Sequence, residues 1–278
     1  MTTIREALRL GRAHLHNSPS PALDSRLLLE FVLGRDHPYL IAHGDDPLDP
    51  TTMTAYGRVL ERAAAEEPVP YIIGRAPFMG LDFSVSHDVL IPRPDTEQLV
   101  ELAIDWGKTR GAIRVVDVGT GSGCIAVSLA RYLPEAEIVA VDVSPKALMV
   151  AAANAARHTP GRIAFVQSDL LDATAPGMDL ITANLPYIAG DEWPTLPIGV
   201  KSYEPALALK GGPDGLELIK KLLPQAVDRL KPGGLLLLEI GWRQGAAVAG
   251  LAQSAFRDAT VSVLPDFAGH DRIVSVQL

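Results

Sequence analysis

Asn184, Leu185, Pro186 and Tyr187 follow directly on an apolar run, residues 179–183, that reads as a strand. The Asn184 side-chain oxygen and the Leu185 backbone carbonyl can each accept one N–H of a planar –NH2 group. A nitrogen of that kind is a poor nucleophile because its lone pair is delocalised into the neighbouring π system. Two acceptors pin it, favour localisation of the lone pair and aim it at an electrophile, which is catalysis by positioning and electrostatics. Pro186 stiffens the loop, and Tyr187 is expected to pack against the planar substrate group. These four residues are the catalytic and substrate-binding candidates. Asn-x-Pro is also ordinary turn chemistry, so the assignment depends on what else faces the same crevice.

The second chemical element is Gly119-Thr120-Gly121-Ser122-Gly123, between a strand-like segment at 114–118 and a helical one at 125–132. Glycines allow a sharp turn and close backbone approach to a ligand, and a helix N-terminus offers unpaired N–H groups. A dinucleotide pyrophosphate or the methionine end of S-adenosylmethionine would suit such a turn. The dinucleotide fingerprint needs G-x-G-x-x-G, but Cys124 follows Gly123, so the third glycine falls one residue early. Asp117, just before the turn, suits an ammonium group and is awkward beside a pyrophosphate. Asp142, at the end of the next strand, can accept both ribose hydroxyls, or it can cap the helix that starts at Pro145 together with Ser144. Asp169 can accept from an adenine amino group while Leu170 packs on the ring, or it can be an exposed loop residue. The cofactor candidates are therefore Asp117, Gly119, Thr120, Gly121, Ser122, Gly123, Asp142, Asp169, Leu170 and Asn184, with S-adenosylmethionine as ligand.

The elements that would position these residues fall in two parts. From Ile4 to about Glu67 apolar residues recur at helical spacing, punctuated by Pro19, Pro21, Pro38, Pro47 and Pro50, which implies a small domain of short helices over residues 1–67. Residues 68–94 form a Gly/Pro-punctuated hairpin or linker with alternation at Leu81, Phe83 and Val85. Asp95, with Gln98 three residues on, reads as a capping box opening a helix. Over residues 95–278, strand-like runs at 114–118, 137–143, 162–168, 179–183, 235–240, 260–264 and 272–277 alternate with helical runs at 125–132, 145–157, 215–230 and 244–256. That order implies an α/β fold with a mostly parallel, doubly wound sheet, the last two strands forming an antiparallel pair. In such a sheet ligands sit beyond the carboxyl ends of the strands, where both the glycine-rich turn and residues 184–187 would lie.

Composition narrows the function classes. Of the 278 residues, 47% are apolar, enough for a proper core; 25 Lys and Arg against 33 Asp and Glu give a net charge of −8, which counts against a dedicated binder of phosphate backbones. The single cysteine, Cys124, rules out a Cys-cluster zinc site and reads as a packing residue. The seven histidines have no metal-ligand spacing. No secretory signal or membrane-spanning run is present, so a cytoplasmic chain is expected.

The combination resembles the release-factor glutamine N5-methyltransferases (the PrmC/HemK family) over essentially the whole chain. The similarity lies in the helical N-terminal part, residues 70–74, the run Val89-Leu90-Ile91-Pro92-Arg93-Pro94-Asp95-Thr96-Glu97, residues 117–123, residues 203–209, Leu230-Lys231-Pro232-Gly233-Gly234 and residues 271–274. The resemblance implies a Rossmann-like class I methyltransferase domain with a seven-stranded sheet behind a small helical domain that helps dock the substrate. It implies S-adenosylmethionine as methyl donor, S-adenosylhomocysteine as product and no metal. The implied partner is a class I peptide-chain release factor, methylated at N5 of the glutamine in its Gly-Gly-Gln motif, so the protein would act in translation termination, as a monomer. Leu185 departs from the family's usual Asn-Pro-Pro-Tyr. The backbone carbonyl survives that change, but Asn-Leu-Pro-Tyr is the form seen in rRNA adenine dimethyltransferases, so an adenine-N6 methyltransferase acting on nucleic acid stays open as the alternative. Arg93, Glu97, Tyr203 and Glu204 are open between substrate contact and structural bracing.

Overall fold

The computed structural model describes residues 2–278, which divide into two compact units. The first comprises residues up to Arg75 together with Pro197–Tyr203. It holds α1 (Ile4–His14), α2 (Pro21–Leu33), α3 (His37–Ala42), α4 (Pro50–Ala64) and α5 (Val69–Ile73). Proline opens α2, α3, α4 and α5 at their first or second position, where its missing N–H costs nothing and its fixed φ suits the helix. Thr3 caps α1 in a full capping box with Glu6, and Asp36 and Asp49 cap α3 and α4. Ile4, Leu28, Leu29, Leu40, Tyr56 and Ile72 pack at the centre of this unit's own core. Tyr56 is fully buried, with its hydroxyl bonded to Ser25. The unit thus runs past the expected boundary at residue 67, because Val69, Tyr71 and Ile72 form one more apolar turn and Val69 and Ile72 join that core. It also takes in residues 197–203, where the Tyr203 hydroxyl donates to the Ala65 carbonyl.

The second unit begins at Ala76, within β1 (Arg75–Phe78) of a two-stranded hairpin with β2 (Leu81–Ser84), followed by α6 (Pro94–Lys108). Then come β3 (Arg114–Val118), α7 (Cys124–Tyr132), β4 (Glu137–Asp142), α8 (Pro145–His158), β5 (Ile163–Gln167) and β6 (Met178–Asn184). After α9 (Ile198–Tyr203), which lies in the first unit, follow α10 (Glu217–Arg229), β7 (Leu230–Glu239), α11 (Gly245–Ala255), β8 (Thr260–Pro265) and β9 (Asp271–Gln277). The sheet has seven strands in the order β5-β4-β3-β6-β7-β9-β8. β5, β4, β3, β6 and β7 run parallel, and β9 is antiparallel to both β7 and β8. This is the class I methyltransferase arrangement.

Strand side chains alternate between two cores. Val115, Ile138, Ala140, Leu180, Leu235 and Leu237 face α6 and α7, while Val116, Val141, Ile181, Leu236 and Val274 face α10 and α11. Burial on both faces explains why the strands read as unbroken apolar runs. β7 begins at Leu230, not Leu235: Lys231-Pro232-Gly233-Gly234 is strand, with a register shift where Leu230 pairs Met178 and Leu235 pairs Leu180. Proline and glycine are tolerated there because the irregularity relaxes the ladder. The expected capping box at Asp95 is not formed. α6 starts at Pro94 with Arg93 as N-cap; Asp95 pairs with Arg272, and Gln98 donates to the Pro265 carbonyl.

Candidate active site

The carboxyl ends of β3, β4 and β6 surround a cavity of about 380 Å³. Its walls include residues 118–122 from the glycine-rich turn, Asp142 and Ser144 after β4, Ser168, Asp169 and Leu170 after β5, and Asn184, Leu185 and Pro186 after β6. Residues 87–93 and Thr96 close another side. The glycine-rich turn and the Asn184 loop therefore open on one space.

The turn is shaped by its backbone. Gly119, Gly121 and Gly123 all have positive φ, between 55° and 80°, where a side chain is strained. A Cβ on Gly119 would lie 3.0 Å from Leu185 Cδ2, and one on Gly123 would lie 3.0 Å from Ala151 Cβ on α8. Gly119 and Thr120 donate to the Val141 carbonyl, and Gly121 N donates to Asp142 Oδ2 at 2.9 Å. Ser144, not Asp142, caps α8 by accepting from Ala147 N. Asp142 accepts from Ser144 N through Oδ1 and from Gly121 N through Oδ2, leaving each carboxylate oxygen further acceptor capacity at the cavity wall. Burial raises its pKa, against these backbone bonds. Leu170 lines the cavity with φ 50°, a left-handed conformation costly for leucine, and Asp169 beside it is exposed.

Two residues differ from their expected placement. Asp117 does not reach the cavity: it is fully buried beneath the turn, where Oδ2 accepts from the Thr120 hydroxyl at 2.7 Å and Oδ1 from the Thr182 hydroxyl at 2.9 Å. Burial pushes its pKa up to about 6. It braces the turn through Thr120. Tyr187 is likewise outside the cavity lining; its ring lies toward Gly241, and burial pushes its phenol up to about 12.

The loop after β6 is clamped. Gln244 Nε2 donates to the Tyr187 carbonyl at 2.9 Å, Ile188 N donates to the Leu209 carbonyl, and the Ile188 carbonyl accepts from Gly211 N. Leu185 is 4% exposed and belongs to the core below α10 and α11. Asn184 Nδ2 donates to Thr96 Oγ1 at 3.1 Å, so the side-chain amide is held from α6. Arg93 pairs with the buried Glu204, which also accepts from Ile91 N, and Glu97 accepts from Met79 N at 2.7 Å. Both thus brace the segment ahead of α6. Sequence reasoning missed Asn154 and Glu239. Asn154, fully buried on α8, joins Ser84 of the hairpin to the Ser122 carbonyl of the turn. Glu239 ends β7 opposite Asn184; a carboxylate terminating a four-leucine run was the available signal.

Residues 6–74 match the PrmC N-terminal domain family, and residues 115–197 match a methyltransferase domain family. A release factor glutamine methyltransferase of Koribacter versatilis is 41% identical over 277 residues, covering 98% of this chain and 97% of the relative. One of Cereibacter sphaeroides is 45% identical over 258 residues, covering 92% and 91%. The chain belongs to the release factor glutamine methyltransferase family. Among solved structures, a methyltransferase from Pyrococcus furiosus superposes with a TM-score of 0.54 at 18% identity, covering 81% of this chain and 98% of that one, and shares the fold. Membership covers both units, so the helical unit is as much a family feature as the sheet. The enzyme is a methyltransferase. Among the described residues no group of three or more His, Cys, Asp or Glu side chains is arranged to hold a metal ion, and no helix is long and apolar enough to cross a membrane.

Proposed function

We propose that this chain transfers a methyl group from S-adenosylmethionine to the side-chain amide nitrogen, N5, of the glutamine in the Gly-Gly-Gln motif of class I peptide-chain release factors. The observation that carries this reading is the shared cavity: Asn184 and Leu185 open on the space that the glycine turn, Asp142, Asp169 and Leu170 also line. Gly119 and Gly121 supply a cradle that a Cβ would strain, Asp142 supplies acceptors for ribose hydroxyls, and Leu170 with Asp169 supplies an apolar face beside an acceptor. A cavity of about 380 Å³ suits a ligand of that size.

When bound, S-adenosylmethionine supplies a sulfonium methyl: the N–CH3 bond forms as the C–S bond breaks, S-adenosylhomocysteine leaves, and one N–H proton passes to solvent. The chain's own task is to make a weak nucleophile competent. Asn184 Oδ1 and the Leu185 carbonyl accept the two amide N–H groups and hold the nitrogen for in-line attack. Both acceptors also offset the positive charge that grows on nitrogen as its lone pair is committed. Asp117 and Asn154 keep the turn in place from beneath and behind. Pro186 and Gln244 keep the acceptor loop from yielding.

Transfer of labelled methyl to a purified, unmethylated class I release factor tests the reading, run beside the factor's Gln→Ala variant at Gly-Gly-Gln and beside total RNA. Label on the wild-type factor, lost in the variant and absent from RNA, is expected. Label on RNA alone would overturn it in favour of adenine.

A further inference from the structure

Glu239 is a buried charged group that the chemistry above leaves unused, and unlike Glu30, Glu67 and Glu204 it forms no ion pair among the described residues. It is 2% exposed at the end of β7, and its register partner on β6 is Asn184. It does not line the cavity, whereas Thr96 and its neighbour Asn184 do. Asn184 Nδ2 donates to Thr96 Oγ1, Glu239 stands beside Asn184 in the strand register, and Glu239 Oε2 has no hydrogen-bond partner. Arg272 is near enough to act on Glu239 electrostatically, but its ion pairs are with Asp95 and Asp266. An unpaired buried carboxylate is expensive for the fold, and an apolar residue would suit the end of a leucine strand better. A functional reason is therefore called for.

We propose that Glu239 is a positioning residue for amide methylation, holding the Asn184 side chain with Nδ2 turned inward and Oδ1 turned to the substrate. This rests on the amide-methylation reading above. A terminal amide can sit in two orientations related by exchange of its O and N, and only one offers the substrate an acceptor. An ionised carboxylate can only accept, so next to Asn184 in the register it favours the orientation with Nδ2 turned to the protein, where one hydrogen already goes to Thr96. The negative charge behind Asn184 also polarises its amide, making Oδ1 a stronger acceptor as charge develops on the substrate nitrogen. A protonated Glu239 can donate instead, which permits the reversed amide and removes the charge.

The polar and titratable groups that act electrostatically on Glu239 or are acted on by it are Asp95 and Thr96 on α6, Asn184 and Tyr187 at and after β6, Arg272 on β9 and Cys124 at the start of α7. Burial, the dominant influence among them, pushes Glu239 up to about 7, against Thr96, Arg272 and Asn184. The anion forms as pH rises through that value, so methyl transfer should rise with it.

The test compares wild-type enzyme with Glu239→Gln and Glu239→Ala in kcat and KM for the release factor from pH 5.5 to 9. A second readout is the Asn184 side-chain 15N–H2 resonance over the same range, with bound S-adenosylhomocysteine as the check on folding. In Glu239→Gln we expect kcat about tenfold lower, KM within about twofold of wild type and the ascending limb near pH 7 lost; in Glu239→Ala, kcat about a hundredfold lower. The Asn184 resonance should titrate near 7 in wild type and stay flat in Glu239→Gln. Wild-type kcat and an intact ascending limb in Glu239→Gln, or an Asn184 resonance that does not titrate, would overturn the proposal. If Glu239→Ala does not fold, the near-isosteric Gln variant decides. If wild-type enzyme transfers nothing to the release factor, the amide reading fails by itself, and the Asn184 titration decides the positioning role.

Discussion

Asn184 Nδ2 is held by Thr96, and in the proposed mechanism its oxygen accepts from the substrate, so its loss should be felt in the transition state more than in binding. Asn184→Ala should lower kcat by roughly 10²–10³-fold, or ~3–4 kcal/mol, with S-adenosylhomocysteine affinity far less affected; single-turnover kinetics and calorimetry separate the two. Leu185 answers to packing instead. Its buried side chain fills the core beside Gly119, so Leu185→Ala should cost about 2–4 kcal/mol in a urea melt. Asp117 carries a pH signature. The folded carboxyl keeps its proton until about pH 6, whereas the unfolded one releases it near 3.8. The native state therefore binds more protons in that window, and this residue's contribution to stability falls as pH rises from about 4 to 6. Asp117→Asn should remove that fall, gaining on wild type by about 3 kcal/mol between pH 4 and pH 7 in parallel denaturation series. Much of the site could be read from residue types: Gly119, Thr120, Gly121 and Ser122, Asp142, Asp169 with Leu170, and Asn184 to Pro186 all reach one cavity, whereas Gly123 packs against Ala151 outside it. Asp117 and Tyr187 lie outside that lining, because spacing places a side chain on an element without saying which way it turns. Glu239 and Asn154 escaped because their partners lie 55 and 70 residues away, on strands that only tertiary pairing brings alongside.

At the scale of elements, the acceptor loop after β6 is a short segment gripped by its neighbours. A Cβ on Gly211 would come within 2.6 Å of the Pro186 carbonyl oxygen, and one on Gly215 within 2.3 Å of the Tyr187 carbonyl oxygen, so residues 211–215 lie directly on the loop backbone. Gln244 ties the loop to its surroundings: Nε2 reaches the Tyr187 and Gly215 carbonyls, and Oε1 accepts from Gly241 N. Gln244→Ala should destabilise by about 1–3 kcal/mol, since it leaves the Tyr187 carbonyl and the Gly241 N–H unpaired. It should also lower kcat about tenfold while cofactor binding holds, because the acceptors lose their fixed geometry. Unchanged kcat in a stably folded Gln244→Ala would show that the glycines alone hold the loop. The strands and long helices of this unit were legible because two-sided burial writes apolar runs and one-sided burial writes helical periodicity. What periodicity missed was short or irregular. The first turns of β7 run through Pro232 and Gly233-Gly234, which read as a loop until the register shift against β6 is seen.

At the scale of the molecule, the family match extends over both units, yet the cores do not mix: the two clusters flanking the sheet hold no residue before Phe78, and the helical core holds none after Ile73. Each unit therefore carries the burial needed for its own cooperativity. The chain nonetheless returns to the first unit at residues 197–203, inside the connection between β6 and α10, which also carries residues 184–187 at its start. A fragment of residues 76–278 should keep the complete cavity, every wall residue of which lies within it, and should bind S-adenosylhomocysteine within a few-fold of the full chain. Its kcat/KM for the release factor should fall far more, by about a hundredfold or beyond, because the proposed docking surface is gone and 197–203 lose their partners Ala65 and Glu66. Calorimetry with S-adenosylhomocysteine and methyl transfer to the factor, measured on one fragment preparation, read the two effects apart. Equal losses in both would mean that the helical unit supports the fold of the sheet unit, and undiminished transfer would mean that the sheet unit recognises its substrate alone.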